Sequence, residues 1–139
     1  MRSAVAAVIL LELLAYMPKA NSRREIKKYV HTAAKHIAEH GPSCSEFAKS
    51  EWRAGDYYIF VIGPDRRTLC HPDPALIGRA SGENERIVAA AMRIRGGWVD
   101  YPWPRLSNGK MAPKSTYAEH VKSPDGDQYI VASGGYGLK

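Results

Sequence analysis

From Arg23 to His40 the apolar residues Ile26, Val30, Ala33 and Ile37 recur at intervals of four, three and four, which sets them on one stripe of an α-helix. Ser22 and Glu25 form a capping box at its start, and Gly41-Pro42 stops it, because glycine takes the left-handed cap and proline cannot continue. The period then changes. Tyr57-Tyr58-Ile59-Phe60-Val61-Ile62 is dense in β-formers and predicts a strand, Gly63–Arg66 a turn, and Arg67–His71 its hairpin partner, ended by Pro72 and Pro74. A helical stripe returns over Asn84–Arg95 with Ile87, Ala91 and Ile94, closed by Gly96-Gly97. Two extended segments, Gly97–Pro104 and Lys114–Val121, flank Asn108-Gly109, a strong hairpin signal. Ser123–Asp127 turns into a last strand, Gln128–Ser133. Helix, hairpin, helix, hairpin and strand predict an α+β domain: a long N-terminal helix packed on a five-stranded antiparallel sheet, with a second short helix.

Ahead of this pattern lies an apolar run from Ala4 to Met17. It is too short to span a bilayer, which takes about 20 apolar residues, but it has the length of a secretory signal core. Ala20-Asn21-Ser22 supplies small residues for cleavage, so residues 1–22 are expected to be a signal peptide. Glu12 and a single basic residue, Arg2, weigh against that, and the alternative is a helix of the folded domain. Cleavage after Ser22 would also remove the cap of the first helix. In an exported protein Cys44 and Cys70 are free to pair, while buried free thiols are the equal alternative.

With 139 residues the chain holds one domain, taken as 23–139, and enough of it to bury a real core. A net charge of +6 raises the question of nucleic acid. The basic residues are scattered, however, and the one cluster (Arg23, Arg24, Lys27, Lys28) heads a helix and reads as a solvated face, so no nucleic-acid partner is expected. His31, His36 and His40 share one helix, with His36 and His40 one turn apart, but the sequence places no carboxylate or third ligand beside that pair, so they also read as an exposed face and no metal is expected. The acidic turn Asp125-Gly126-Asp127 is too short for a calcium loop. Nucleophile elbow, paired carboxylates, zinc helix motif and Cys-x-x-Cys are all missing from the sequence. Neither an enzyme nor a cofactor is expected.

The chemistry concentrates in Gly97-Trp98-Val99-Asp100-Tyr101-Pro102-Trp103-Pro104 and Pro113-Lys114-Ser115-Thr116-Tyr117. Aromatic rings with polar tips suit a half-buried site, and a lysine among them can hold the negative end of a small ligand. Lys114 is expected to meet a carboxylate, with the Tyr101 and Tyr117 hydroxyls as donors. Trp103 and Trp98 would form apolar wall, with Phe60 and His71 on a neighbouring strand. Strand parity sets a condition: Tyr101 and Trp103 share a face that Trp98 does not, and Lys114 and Tyr117 conflict in the same way. Core packing explains Trp98 equally well.

Asp56-Tyr57-Tyr58-Ile59-Phe60-Val61, His71-Pro72, Leu76-Ile77-Gly78, the aromatic segment Gly97–Trp103, the Pro113–Tyr117 segment and the Tyr129–Tyr136 run together resemble the single Cache family of extracytoplasmic sensor domains. The resemblance implies a PAS-like fold with a small-molecule pocket on one face of the sheet, to which Tyr101, Trp103, Lys114 and Tyr117 contribute. It also implies a small organic acid as ligand and a membrane-bound signalling or transport partner. Two departures are visible: the segment between Gly78 and Gly96 is shorter, and no transmembrane helix or signalling domain follows the last strand. The expectation is a free-standing sensing module, periplasmic or secreted, or held at a membrane. A structural or partner-binding exported protein is the alternative.

Overall fold

The first helix starts at its predicted cap. In the computed structural model, which describes residues 22–53 and 55–139, α1 (Arg23–His40) opens with Ser22 Oγ accepting from the Glu25 N–H at 3.1 Å. It closes at Gly41, whose φ of 81° glycine takes without strain, although its ψ of 174° is extended and not that of the expected left-handed cap. Apart from Ser22, the expected signal peptide lies outside the described residues. Ile26, Val30, Ala33 and Ile37 are fully buried, each of the larger ones contributing roughly 1.5–3 kcal/mol of transfer free energy.

A short helix α2 (Cys44–Phe47) and a 3₁₀ turn (Ser50–Trp52) cross the end of α1. His36, expected on an exposed face, is half-buried there, its ring 5.7 Å from Phe47 and 6.3 Å from Trp52. The apolar cover brought by these two rings is what draws it in. Strands β1 (Phe60–Ile62), β2 (Thr68–Cys70), β3 (Gly97–Pro104), β4 (Met111–Lys122) and β5 (Gln128–Tyr136) form one sheet in the order β2-β1-β5-β4-β3. Every pairing is antiparallel. The last strand thus lies at the centre, between the two hairpins.

Because side chains alternate along a strand, the sheet separates two cores. One face carries Ile59, Val61, Tyr117, Tyr129 and Val131 against α1. The opposite face carries Tyr58, Phe60, Ile62, Val99, Tyr101, Ile130 and Ala132 against helix α3 (Gly82–Ala91), through Ile87, Val88 and Ala91. Cys44 and Cys70 form a disulfide, with Cα atoms 5.2 Å apart, that ties α2 to the edge strand β2.

The second helix departs from its expected span. It starts two residues earlier than Asn84, capped by Ser81, and ends at Ala91 rather than Arg95. Ile94, which continues the apolar stripe on paper, is 97% exposed. The chain must reverse here to enter β3, and it does so on glycines with no room for a side chain. A Cβ on Gly97 would lie 2.6 Å from the Ala90 carbonyl, and one on Gly96 would lie 2.5 Å from the Tyr117 hydroxyl. Among the described residues no helix is long and apolar enough to cross a membrane.

Candidate functional site

On the α3 face the sheet and the helix part to leave a cavity of about 200 Å³. Its floor is sheet: Phe60 of β1, Tyr101 and Trp103 of β3, and Lys114 of β4, with Tyr58 just before β1. Its walls are His71 and Leu76 from the loop after β2. The start of α3, with Arg79, Ser81, Glu83 and Asn84, forms the remaining side. Asn84 fixes that side: its buried amide donates to the Arg66 and Arg79 carbonyls at 3.1 and 3.3 Å and to Thr68 Oγ1 at 3.2 Å.

Register brings the key residues together. Tyr101 pairs with Lys114 across β3 and β4, so both point to the cavity face. Lys114 is 2% exposed, and its Nζ donates to the Tyr58 hydroxyl at 2.9 Å. The rings of Tyr58, Phe60 and Trp103 lie 4.6, 5.5 and 5.9 Å from that nitrogen, in cation–π range. Among the described residues no acidic side chain forms an ion pair with it. Burial, which disfavours the charged form, brings Lys114 down to about 7, and the Asp56 carboxylate pulling the other way does not overturn this.

The lysine reaches this position because the strand beneath it is bare. Gly134 of β5 pairs with Thr116, and a Cβ there would sit 2.9 Å from Lys114 Cε and 2.5 Å from Thr116 Oγ1. Thr116 in turn shares a hydrogen bond of 2.7 Å with the Tyr101 hydroxyl. Burial holds the Tyr58 and Tyr101 phenols protonated, well above the usual tyrosine range. His71 is neutral: its Nδ1 accepts from the Asp73 N–H at 2.9 Å, so Nε2 carries the hydrogen. Burial and then the nearby Lys114 charge bring it down to about 4.

Five of the seven residues expected from the sequence therefore line one cavity: Phe60, His71, Tyr101, Trp103 and Lys114. Tyr117 and Trp98 do not. They face α1, where their rings pack together at 5.3 Å and Arg23 lies 4.5 Å over the Trp98 ring. The Tyr117 hydroxyl, expected as a donor to a ligand, lies 2.8 Å from the Arg95 carbonyl and 2.9 Å from Glu119 Oε1. The reason is parity: residues 114 and 117 stand on opposite faces of a regular strand. Tyr58 takes the place beside the lysine instead. It was legible as the residue two before Phe60 and hence on the same face. Asn84 and Thr68 carried no comparable signal, since a polar residue at a helix start or in a short strand reads as solvated.

No family model matches the sequence, and no curated protein matches it. Solved structures do match. A methyl-accepting chemotaxis protein from Vibrio parahaemolyticus RIMD 2210633 aligns with a TM-score of 0.59 at 19% identity, over 82% of this chain and 87% of that chain. A periplasmic sensor domain of a chemotaxis protein aligns with a TM-score of 0.52 at 20% identity, over 98% of this chain and 97% of that chain. A Cache chemosensory domain, from work on carboxylic acid recognition, aligns at 0.49 and 20% identity over 96% and 86%. At such identities the likeness is one of fold. The chain has the PAS-like α+β fold that its Cache resemblance implies.

Proposed function

We propose that this chain is an extracytoplasmic ligand-binding module that takes a small organic acid, with Lys114 meeting the carboxylate. The observation that carries the reading is a buried amine in a cavity, without an acidic partner among the described residues. A charge in that position is costly unless paired. A ligand carboxylate would supply the partner, and the phenol of Tyr58 and the rings around Nζ would complete the shell. Tyr101, bonded to Thr116, is the second hydroxyl within the lining. The cavity has the volume of about six or seven waters, which suits a short-chain acid. The disulfide and the leader-like run over residues 4–17 favour an oxidising compartment outside the cytoplasm. The fold is shared with sensor domains of chemotaxis proteins. It fits a module that presents its occupied state to a membrane-bound signalling or transport partner.

Calorimetry with propionate and other short-chain acids, on the protein and on Lys114→Met, tests this. Losing a charge-assisted hydrogen bond costs about 1.5–3 kcal/mol, so affinity falls at least about tenfold. Methionine occupies a similar buried volume without a charge to bury, so the ligand-free variant is expected to melt no lower than the parent. Unchanged affinity in Lys114→Met would overturn the reading.

A further inference from the structure

We propose that Lys114 also captures small carbonyl compounds, aldehydes and 2-oxo acids, by reversible imine formation in this cavity. The proposal rests on the reading that the cavity is the ligand site, and adds a second chemistry to its lysine. A lysine whose buried partner is a carboxylate is held as an ammonium and cannot attack. Here the one hydrogen-bond partner of Nζ among the described residues is a phenol, Tyr58, at 2.9 Å. A phenol can accept from an ammonium or donate to the lone pair of a neutral amine, so both protonation states are satisfied in place.

The surroundings favour the neutral state. Rings of Tyr58, Phe60 and Trp103 lie around the nitrogen, and His71, a further titratable side chain of the lining, is itself neutral. Tyr101 faces it from β3 as a protonated phenol, and Arg79 and Glu83 stand on the α3 side of the cavity. Brought down to about 7, Lys114 is about half neutral at pH 7. An ordinary lysine near 10.4 is neutral there in only about one molecule in a few thousand. A desolvated, unprotonated amine beside a proton-exchanging hydroxyl is the arrangement that makes a lysine a nucleophile.

The step balances without any redox partner. The Nζ lone pair forms a bond to the carbonyl carbon, and the carbonyl π pair moves to oxygen, which takes a proton from the Tyr58 hydroxyl as that phenol regains one from nitrogen. The carbinolamine hydroxyl then takes a second proton from the Tyr58 hydroxyl and leaves as water, as the nitrogen lone pair closes the C=N bond. Tyr58 recovers that proton from the iminium nitrogen, so the phenol ends unchanged and the amine supplies both hydrogens net. Water reverses the step.

Glyoxylate with sodium cyanoborohydride at pH 7 converts such an imine to a stable carboxymethyl group, and peptide mass spectrometry reads which lysine carries it. The expected result is labelling of Lys114 at least about tenfold faster than of any other lysine, slowed by propionate. Lys114→Arg, which keeps a positive charge but cannot form an imine, should lack the fast site. Labelling of surface lysines with Lys114 unmodified would overturn the proposal. If propionate still stabilises the protein in that case, the acid-binding reading stands and the imine alone fails. Fast labelling of Lys114 untouched by propionate, with no propionate binding, would uphold the imine and overturn the acid-binding reading.

Discussion

Raising the pH should strip this site of the charge that a carboxylate needs. Burial holds Lys114 down to about 7, and a bound anion favours its protonated form. Binding above that pH must therefore take up a proton, and the apparent dissociation constant grows as one plus ten to the power of pH minus 7. Relative to the protonated limit, affinity for propionate falls about tenfold at pH 8 and about a hundredfold at pH 9, or ~2.7 kcal/mol. The other groups of the wall do not blur the slope. His71 is already neutral above about 4, and the Tyr58 and Tyr101 phenols stay protonated throughout. Stability of the empty protein runs the opposite way. The folded pKa of Lys114 is depressed from 10.5, so between about 7 and 9 the unfolded chain binds more protons. Stability then rises with pH by up to about 1.4 kcal/mol per unit from this residue. His71, depressed from 6.5, adds a loss of stability as pH falls through 6.5 toward 4. Titration calorimetry at pH 6, 7, 8 and 9, in two buffers of different ionisation heat, measures both affinity and proton uptake. Uptake should approach one proton at pH 8 and above. Constant affinity from pH 6 to 9, or no proton uptake at pH 8, would refute the assignment of the ligand charge to a neutral-leaning Lys114.

Gly134→Ala places a methyl group 2.5 Å from the Ser115 carbonyl and 2.9 Å from Lys114 Cε. It should cost about 1–3 kcal/mol by thermal melt and, by displacing the lysine, abolish most propionate binding by calorimetry. Reducing the Cys44–Cys70 bridge, which closes a separation of 26 residues, should remove about 3–4 kcal/mol, read as a lower urea midpoint with reductant. Tyr117→Phe loses a hydroxyl that serves Arg95 and Glu119 on the α1 face. It should cost about 1 kcal/mol of stability and leave propionate affinity unchanged, and a tenfold loss of affinity would return Tyr117 to the site.

Local pattern was enough for α1, because its stripe, its serine cap and its glycine stop all lie within a few residues of one another. The strands and turns of both hairpins were legible for the same reason, and the element order was enough for the five-stranded antiparallel sheet. Parity along β3 also put Tyr101 and Trp103 on one face before any fold was known. Which of Lys114 and Tyr117 shares that face is a matter of register between strands, and the Tyr101–Lys114 pairing settled it in favour of the lysine. Ile94 shows the converse, a residue in good helical phase left in solvent because the chain had to turn into β3 at Gly96 and Gly97. The face of Tyr58 was legible beside Phe60, but its pairing with Lys114 was not. Tyr58 lies 56 residues away along the chain, on the far side of the central strand β5, whose Gly134 leaves the gap through which the two side chains meet. Periodicity and capping are written between near neighbours, so a sequence displays them. A buried charge, its titration and its partners depend on which distant segments exclude water from it, and that is set when the sheet closes over them.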